Sequence, residues 1–165
     1  MPNFKLSLNG SWKFKGFAEC NGEELGAHRL EYDDGWLPAK VPGTVHLDLL
    51  ANNVIPDPFK DLNEKKVQWV PESEWWYRKE IELSTELLEK QMVELVFEGL
   101  DTFATVWVNA VKIGEANNMF TSWRFNISKA VKEGRNVIAV CFKPICKVAL
   151  ELERKYGGKY GSLHA

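Results

Sequence analysis

Trp75-Trp76-Tyr77-Arg78-Lys79-Glu80-Ile81-Glu82-Leu83 alternates with a period of two: the odd positions are mostly apolar and the even ones mostly charged. Successive side chains of a strand point to opposite faces, so this run reads as a β-strand with one wet face. Working outward, the same pattern recurs. Ser11 to Phe17 alternates. Val93, Leu95 and Phe97 share a face within Met92–Leu100, against Glu94 and Glu98. Ala104 to Val108 is rich in β-formers, and Thr121 to Ile127 sets Trp123, Phe125 and Ile127 on alternate positions. Asn136 to Phe142 is apolar on both faces, as a doubly covered strand requires. Asn9-Gly10, Asn21-Gly22, Val41-Pro42-Gly43 and Glu133-Gly134 supply turn chemistry between the runs. Asn109-Ala110 stands where a two-residue hairpin prefers Asn-Gly, so that turn either has another geometry or carries strain.

Helical signals are few. Thr44–Asn52 predicts a short helix capped by Thr44, and Ser84–Lys90 one or two turns capped by Ser84. Ser128–Glu133 predicts a short turn. Ile145–Tyr156 is the best helix: Ile145, Val148, Ala149 and Leu152 form one stripe, and Gly157-Gly158 is the stop signal. Lys159–Ala165 reads as a linker. Many short strands with few helices predict an all-β sandwich or barrel. The domain expectation is a β-sandwich over 1–144, then a C-terminal helix and linker over 145–165.

Composition removes several functions. With 165 residues, the chain is the length of one domain. Twenty-one basic against 23 acidic residues leaves a net charge of −2, no footprint for nucleic acid. The apolar runs fall far short of the roughly 20 residues that span a bilayer. The N-terminus lacks an apolar signal core, and Cys20, Cys141 and Cys146 are few and irregularly spaced, so a reducing, cytoplasmic location is expected. His28, His46 and His164 form no ligand spacing, so neither a metal nor another cofactor is expected.

Aromatics make up 12% of the chain, including seven Trp. In a β domain that raises the question of sugar. A retaining glycosidase needs two carboxyl groups about 5–5.5 Å apart. Asp33, Asp34, Asp57, Asp61, Glu64, Glu72 and Glu74 were the acids to weigh, and they read as solvated loop acids rather than a pair. No Gly-x-Ser-x-Gly elbow exists, His46 reads as a polar residue on a half-buried helix, and Cys141 as a small core residue. Trp69, Trp75, Trp76 and Tyr77 crowd one region and suit either ring stacking on sugar or packing in a core or interface. Asn63 lies in the Pro-rich loop IPDPFKDLNEKK (55–66). Its amide suits vicinal hydroxyls, or equally caps a turn.

At that loop a resemblance emerges. The stretch VPGTVHLDLLANNVIPDPFKDLNEKKVQWVPESEWWYRKEIEL (41–83) resembles the amino-terminal domain of β-mannosidases of glycoside hydrolase family 2. LNGSWKF (8–14), LVFEGLDTFATVWVN (95–109), IGEANNMFTSWRFNI (113–127) and EGRNVIAVCFKP (133–144) continue the match in order. VHLDLLANNVIPDPF points to the mannosidase branch rather than to galactosidases or glucuronidases, whose same domain is the alternative, as is a free-standing carbohydrate-binding module. The resemblance implies a jelly-roll, galactose-binding-like β-sandwich that leans on a catalytic (β/α) barrel further along the polypeptide. It implies that both catalytic glutamates lie on that barrel, so this chain carries no catalytic residue and alone is inactive. It implies a β-mannoside as carbohydrate partner of the intact enzyme. Asn63 is carried over as the residue reaching toward the terminal sugar, with Asp61 and Trp69 nearby. Asn118-Met119-Phe120 matches a structural turn, and Ala110 replaces the family's usual Gly. Trp75 and Trp76 are expected at the domain interface, with one or the other exposed in the separate domain, which would then self-associate.

Overall fold

The computed structural model describes residues 4–89 and 92–156. Eight strands and three α-helices follow in the order β1 Gly10–Phe17, β2 Leu37–Val41, α1 Val45–Ala51, β3 Glu74–Leu83, α2 Thr85–Leu88, β4 Glu94–Phe97, β5 Ala104–Val108, β6 Val111–Ala116, β7 Trp123–Asn126, β8 Gly134–Phe142 and α3 Ile145–Tyr156. Two 3₁₀ turns, Asn63–Val67 and Val70–Glu72, lie between α1 and β3. Six strands form one antiparallel sheet in the order β2-β1-β3-β8-β5-β6, and β4 pairs with β7 in a second, smaller sheet. This is the expected all-β sandwich with few helices. Among the described residues no helix is long and apolar enough to cross a membrane.

The main core lies between the large sheet and a cover made by β4–β7, α1 and the loop before β3. It holds Trp12, Phe14, Leu49, Ile55, Val67, Val70, Trp75, Tyr77, Leu95, Val106, Ile138 and Val140. Phe14 stacks on Trp75 at 5.9 Å between centroids and tilts on Tyr77 at 5.7 Å. The cover is close. A Cβ on Gly114 of β6 would meet the Phe125 ring of β7 at 2.5 Å, so only glycine permits that approach. Helix α1 is pinned from below by Asp48, which accepts from the Lys40 amide at 3.0 Å and from the Tyr77 hydroxyl at 2.7 Å. Burial and the Asp48 carboxylate together push the Tyr77 phenol well above its usual range. Thr44 caps the helix by accepting from the Leu47 amide, and His46 is half-buried, as expected.

The opposite face of the large sheet departs from expectation. The alternation predicts that the even side of β3 is wet, yet Trp76 and Arg78 are buried. β3 sits centrally, between β1 and β8, and the irregular segment Ala18–Trp36 folds across its outer face. Trp76, Trp107, Phe17, Ala27, Ala139 and Cys141 form a second core there, with Tyr32 and Trp36 against it. Water returns only toward Lys79–Glu82. The expectation that Trp75 or Trp76 is exposed is therefore corrected. A central strand covered on both sides buries alternate residues in two different cores, one ring in each.

Two smaller departures have clear reasons. Ser84 makes no side-chain capping bond; instead the neighbouring Thr85 hydroxyl bonds to Glu133. The stripe on α3 buries nothing fully, because the helix rests on the surface beside the second 3₁₀ turn. Gly157-Gly158 and the linker expectation lie outside the described residues.

The β5–β6 turn resolves the Asn109-Ala110 question. Both residues are left-handed, with φ of 48° and 66°, and Val108 pairs with Val111 across a two-residue loop. This is the conformation that Asn-Gly prefers. Asn109 is fixed by its own side chain, which donates to Ala130 O and Asn136 Oδ1 and accepts from the Val137 amide. Ala110 has no such compensation. Ala110→Gly is expected to stabilise the domain by about 0.5–1 kcal/mol, the left-handed penalty less the entropy of glycine. Urea unfolding of the two proteins checks this; a loss of stability would show that the turn favours a side chain.

Candidate functional site

The residues singled out for sugar contact sit on the loop from Asn52 to Ser73. Its backbone is set locally. Asn53 takes a left-handed φ of 57°, and Pro56 and Pro58 stiffen the next step. Asp57 Oδ1 accepts from the Phe59 amide at 3.0 Å, an Asx turn. Asp57 O then accepts from the Asn63 side-chain amide, also at 3.0 Å. Ile55, Val67 and Val70 are the buried anchors, and Trp75 Nε1 donates to Val70 O at 2.8 Å. Between the anchors the loop projects outward. Phe59 is 97% exposed, with Leu62 also exposed beside it in sequence.

Asn63 is half-buried at the start of the first 3₁₀ turn. One of its amide protons closes the loop on Asp57, so the turn-capping role is present in the structure. Among the described residues its Oδ1 accepts no hydrogen bond, which leaves an acceptor and one donor proton for another group. Asp61 is exposed and left-handed at φ 52°. Trp69 is 40% exposed, with its ring tilted on Trp75 at 5.9 Å. Asp61 and Asn63 thus share one short loop segment, while Trp69 stands at the far end of the first 3₁₀ turn, at the base of β3. Trp75 and Trp76 lie inside the cores described above and present no ring to solvent.

The acids do not assemble. Asp33 and Asp34 pair with Lys13 and Lys15 at 3.2 and 3.4 Å. Asp57 caps its own loop, and Glu64 is exposed. Glu74 is buried, and its Oε1 accepts from the Gly22 amide at 3.1 Å and from Trp76 Nε1 at 2.5 Å. It is a strut between β3 and the covering segment. Burial and the neighbouring Glu74 push the Cys141 thiol far above its usual range, which keeps it a neutral core group. Among the described residues no group of three or more His, Cys, Asp or Glu could hold a metal ion.

One open hollow of about 450 Å³ is lined by Phe4, Leu6, Leu83, Ser84, Leu87 and Gly134, with Glu82 and Glu133. Leu83 pairs with Gly134, whereas Trp75 pairs with Phe142. The hollow is therefore at the end of the sheet remote from the Trp69 loop.

Phe59 escapes the reading of the sequence, and Phe120 enters it only as part of a structural turn. Phe59 projects from the loop just described, and Phe120 is 90% exposed between β6 and β7. Asn118 does fill the structural role expected of it: Oδ1 accepts from the Phe120 amide at 2.8 Å and its carbonyl from Trp123 Nε1 at 2.9 Å. Phe120 itself packs on nothing comparable. The available signal was a large aromatic residue set among turn-formers, DPFKD and NNMFTS, with no alternating partner.

Comparison with known proteins fits this geometry. A family model described as glycosyl hydrolase 2 galactose-binding domain-like matches residues 12–164. Beta-mannosidase B of Aspergillus terreus is 37% identical over 154 residues, 92% of this chain and 17% of that protein. The beta-mannosidase of Capra hircus is 38% identical over 138 residues, 84% of this chain and 14% of that protein. The crystal structure of a beta-D-mannosidase from Dictyoglomus thermophilum superposes with a TM-score of 0.79 at 39% identity, covering 95% of this chain and 17% of that one. A Ruminococcus gnavus beta-glucuronidase superposes with a TM-score of 0.64 at 24% identity, which speaks to the fold alone. The chain thus spans less than a fifth of the length of these relatives. It belongs to the glycosyl hydrolase 2 galactose-binding domain-like family.

Proposed function

We propose that this chain is the non-catalytic amino-terminal domain of a β-mannosidase-type glycoside hydrolase. In that reading it braces a catalytic (β/α) barrel and lends one wall, with Asn63, to the pocket for a terminal β-mannosyl residue. The observation that carries the reading is the asymmetry of the matches. Identity of 37–39% runs through nearly the whole of this chain, yet the matched β-mannosidases are about six times longer. A retaining hydrolase needs an acid and a nucleophile; of the acids weighed, Asp33 and Asp34 are in surface ion pairs, Asp57 caps its loop, Glu74 is a buried strut, and Asp61, Glu64 and Glu72 stand exposed. The exposed Phe59, Leu62 and Trp69 flank Asn63 in sequence and supply the apolar surface that a neighbouring barrel would cover. The free acceptor of Asn63 suits a sugar hydroxyl at the edge of that surface.

The test has two arms. The 165-residue chain is expected to show no turnover of an aryl β-mannoside. In an enzyme of the relatives' full length carrying this domain, Asn63→Ala is expected to weaken transition-state binding by about 1–3 kcal/mol, the scale of one lost polar partner. Turnover by the chain alone, abolished by a substitution within it, would overturn the first claim. Unchanged kcat/KM in the Asn63→Ala enzyme would remove Asn63 from the pocket.

A further inference from the structure

The segment Ala18–Trp36 is held to the outer face of the sheet by polar ties as well as by the second core. Glu74 accepts from the Gly22 amide, and the Arg78 guanidinium donates to the carbonyls of Arg29, Leu30 and Tyr32. At its middle the His28 ring lies between the segment and the sheet. It is 6% exposed, stacked on Trp107 at 4.5 Å with 25° between planes, and tilted on Trp76 at 6.2 Å. Its Nδ1 is fully buried and, among the described residues, has no hydrogen-bond partner.

A neutral imidazole tolerates this position, because Nδ1 can remain a bare lone pair. A protonated ring must carry an N–H there, buried and without an acceptor, so the charged form bears the full desolvation of that donor. The charged groups around the ring do not offset it. From β3, Arg78 is 1% exposed and bonds to the backbone of the two residues after His28. From the same strand, Glu74 is already committed to the Gly22 amide and to Trp76 Nε1. β8 contributes the neutral thiol of Cys141, and β5 the apolar face of Trp107. On the segment itself Arg29 opposes an imidazolium, and Glu23 favours one.

We propose that Ala18–Trp36 is an acid-opened flap, released from Trp76 and Trp107 when His28 takes up a proton. Burial, then Arg29, hold His28 below its ordinary value in the closed form, with Glu23 opposing. The sign follows. Closure is fully favoured above the open-state value near 6.5 and weakens as pH falls through and below it. At pH 5.5 the opening equilibrium is expected to be larger than at pH 7.5, by at most about tenfold, the bound set by the open-state value near 6.5.

Hydrogen exchange of the 165-residue chain at pH 7.5 and 5.5, corrected for intrinsic rates, tests the proposal. Amides of 18–36 are expected to exchange severalfold faster, up to about tenfold, relative to the correction, at the lower pH, while those of β8 keep their protection. His28→Phe keeps a ring on Trp107 but cannot be protonated, and is expected to abolish the acid response. Equal protection of 18–36 at both pH values, or a response that persists in His28→Phe, would overturn the flap. Should that variant fail to fold, the His28 ring titration followed by NMR in the unaltered chain decides instead: a midpoint below 6.5 supports the flap, and one at or above it refutes it.

Discussion

Arg78→Met is expected to cost the domain about 3–5 kcal/mol, the range found when one partner of a buried charged network is removed. The arginine is buried on the central strand, where its guanidinium gathers three carbonyls of the covering segment, those of Arg29, Leu30 and Tyr32, and reaches Glu80 at 3.3 Å. Its face also stacks near the Trp36 ring, with the guanidinium carbon 5.3 Å from the ring centroid. Methionine fills a similar volume but donates nothing, so the part-buried carbonyls of Arg29 and Leu30 lose their side-chain donor, and Tyr32 O keeps only Trp36 Nε1. For a domain whose whole stability is about 5–15 kcal/mol, this is a large fraction. At about 2–4 °C per kcal/mol for a chain of this size, the melting temperature should fall by roughly 6–20 °C. Calorimetry of the two proteins checks it. Arg78→Lys should recover only part of the loss, because a point charge cannot serve three planar acceptors at once. A shift under 2 °C would mean that the Ala18–Trp36 segment is held by its apolar contacts alone.

Trp76→Ala is expected to cost about 3–5 kcal/mol, the range for emptying a buried aromatic site. Trp76 has no solvent-exposed surface, lies against His28, Ala27 and Cys141 in the outer core, and donates its indole N–H to Glu74 at 2.5 Å. The substitution therefore opens a cavity and strips the buried Glu74 of one of its two donors. Denaturant unfolding of the separate domain measures the loss directly. A residue kept for contact with another domain would leave the separate domain's stability unchanged, so the experiment also decides between the two roles considered for this ring. Trp69→Ala provides the contrast. With 40% of its surface exposed, its removal should cost distinctly less than that of Trp76.

Six of the eight described strands and the all-β class were legible in the sequence because they rest on local periodicity; β2 and β6, short and with weak alternation, were not. Alternation in Ser11–Phe17, the two-sided apolar run at Asn136–Phe142 and the Thr44 cap depend on neighbours a few residues away, and the structure reproduces them. The ordered blocks from LNGSWKF to EGRNVIAVCFKP carried the family likeness for the same reason, since they are patterns along the chain. The alternation of β3 also marks correctly which residues share a face. It does not say whether a face meets water. Charged residues at the even positions suggested that it did, and the burial of Arg78 and Trp76 shows that it does not. Their cover comes from Ala18–Trp36, about 50 residues earlier, a segment with no periodicity of its own.

The candidate site divides in the same way. The Asx turn at Asp57 and the closing bond from Asn63 are local, and turn capping was one of the two uses the sequence offered equally for the Asn63 amide. The acids read as solitary loop groups, and most prove so, but Glu74 becomes a buried strut only because the sheet brings Gly22 and Trp76 onto one carboxylate. What the sequence by itself determined was most of the strands, which of their residues share a face and the family to which they belong, because short-range geometry and side-chain pattern suffice for those. Which rings are buried, which are bare, and where a histidine is trapped beside a guanidinium was decided only by the tertiary structure. Burial is a property of what lies on top, and what lies on top arrives from distant parts of the chain.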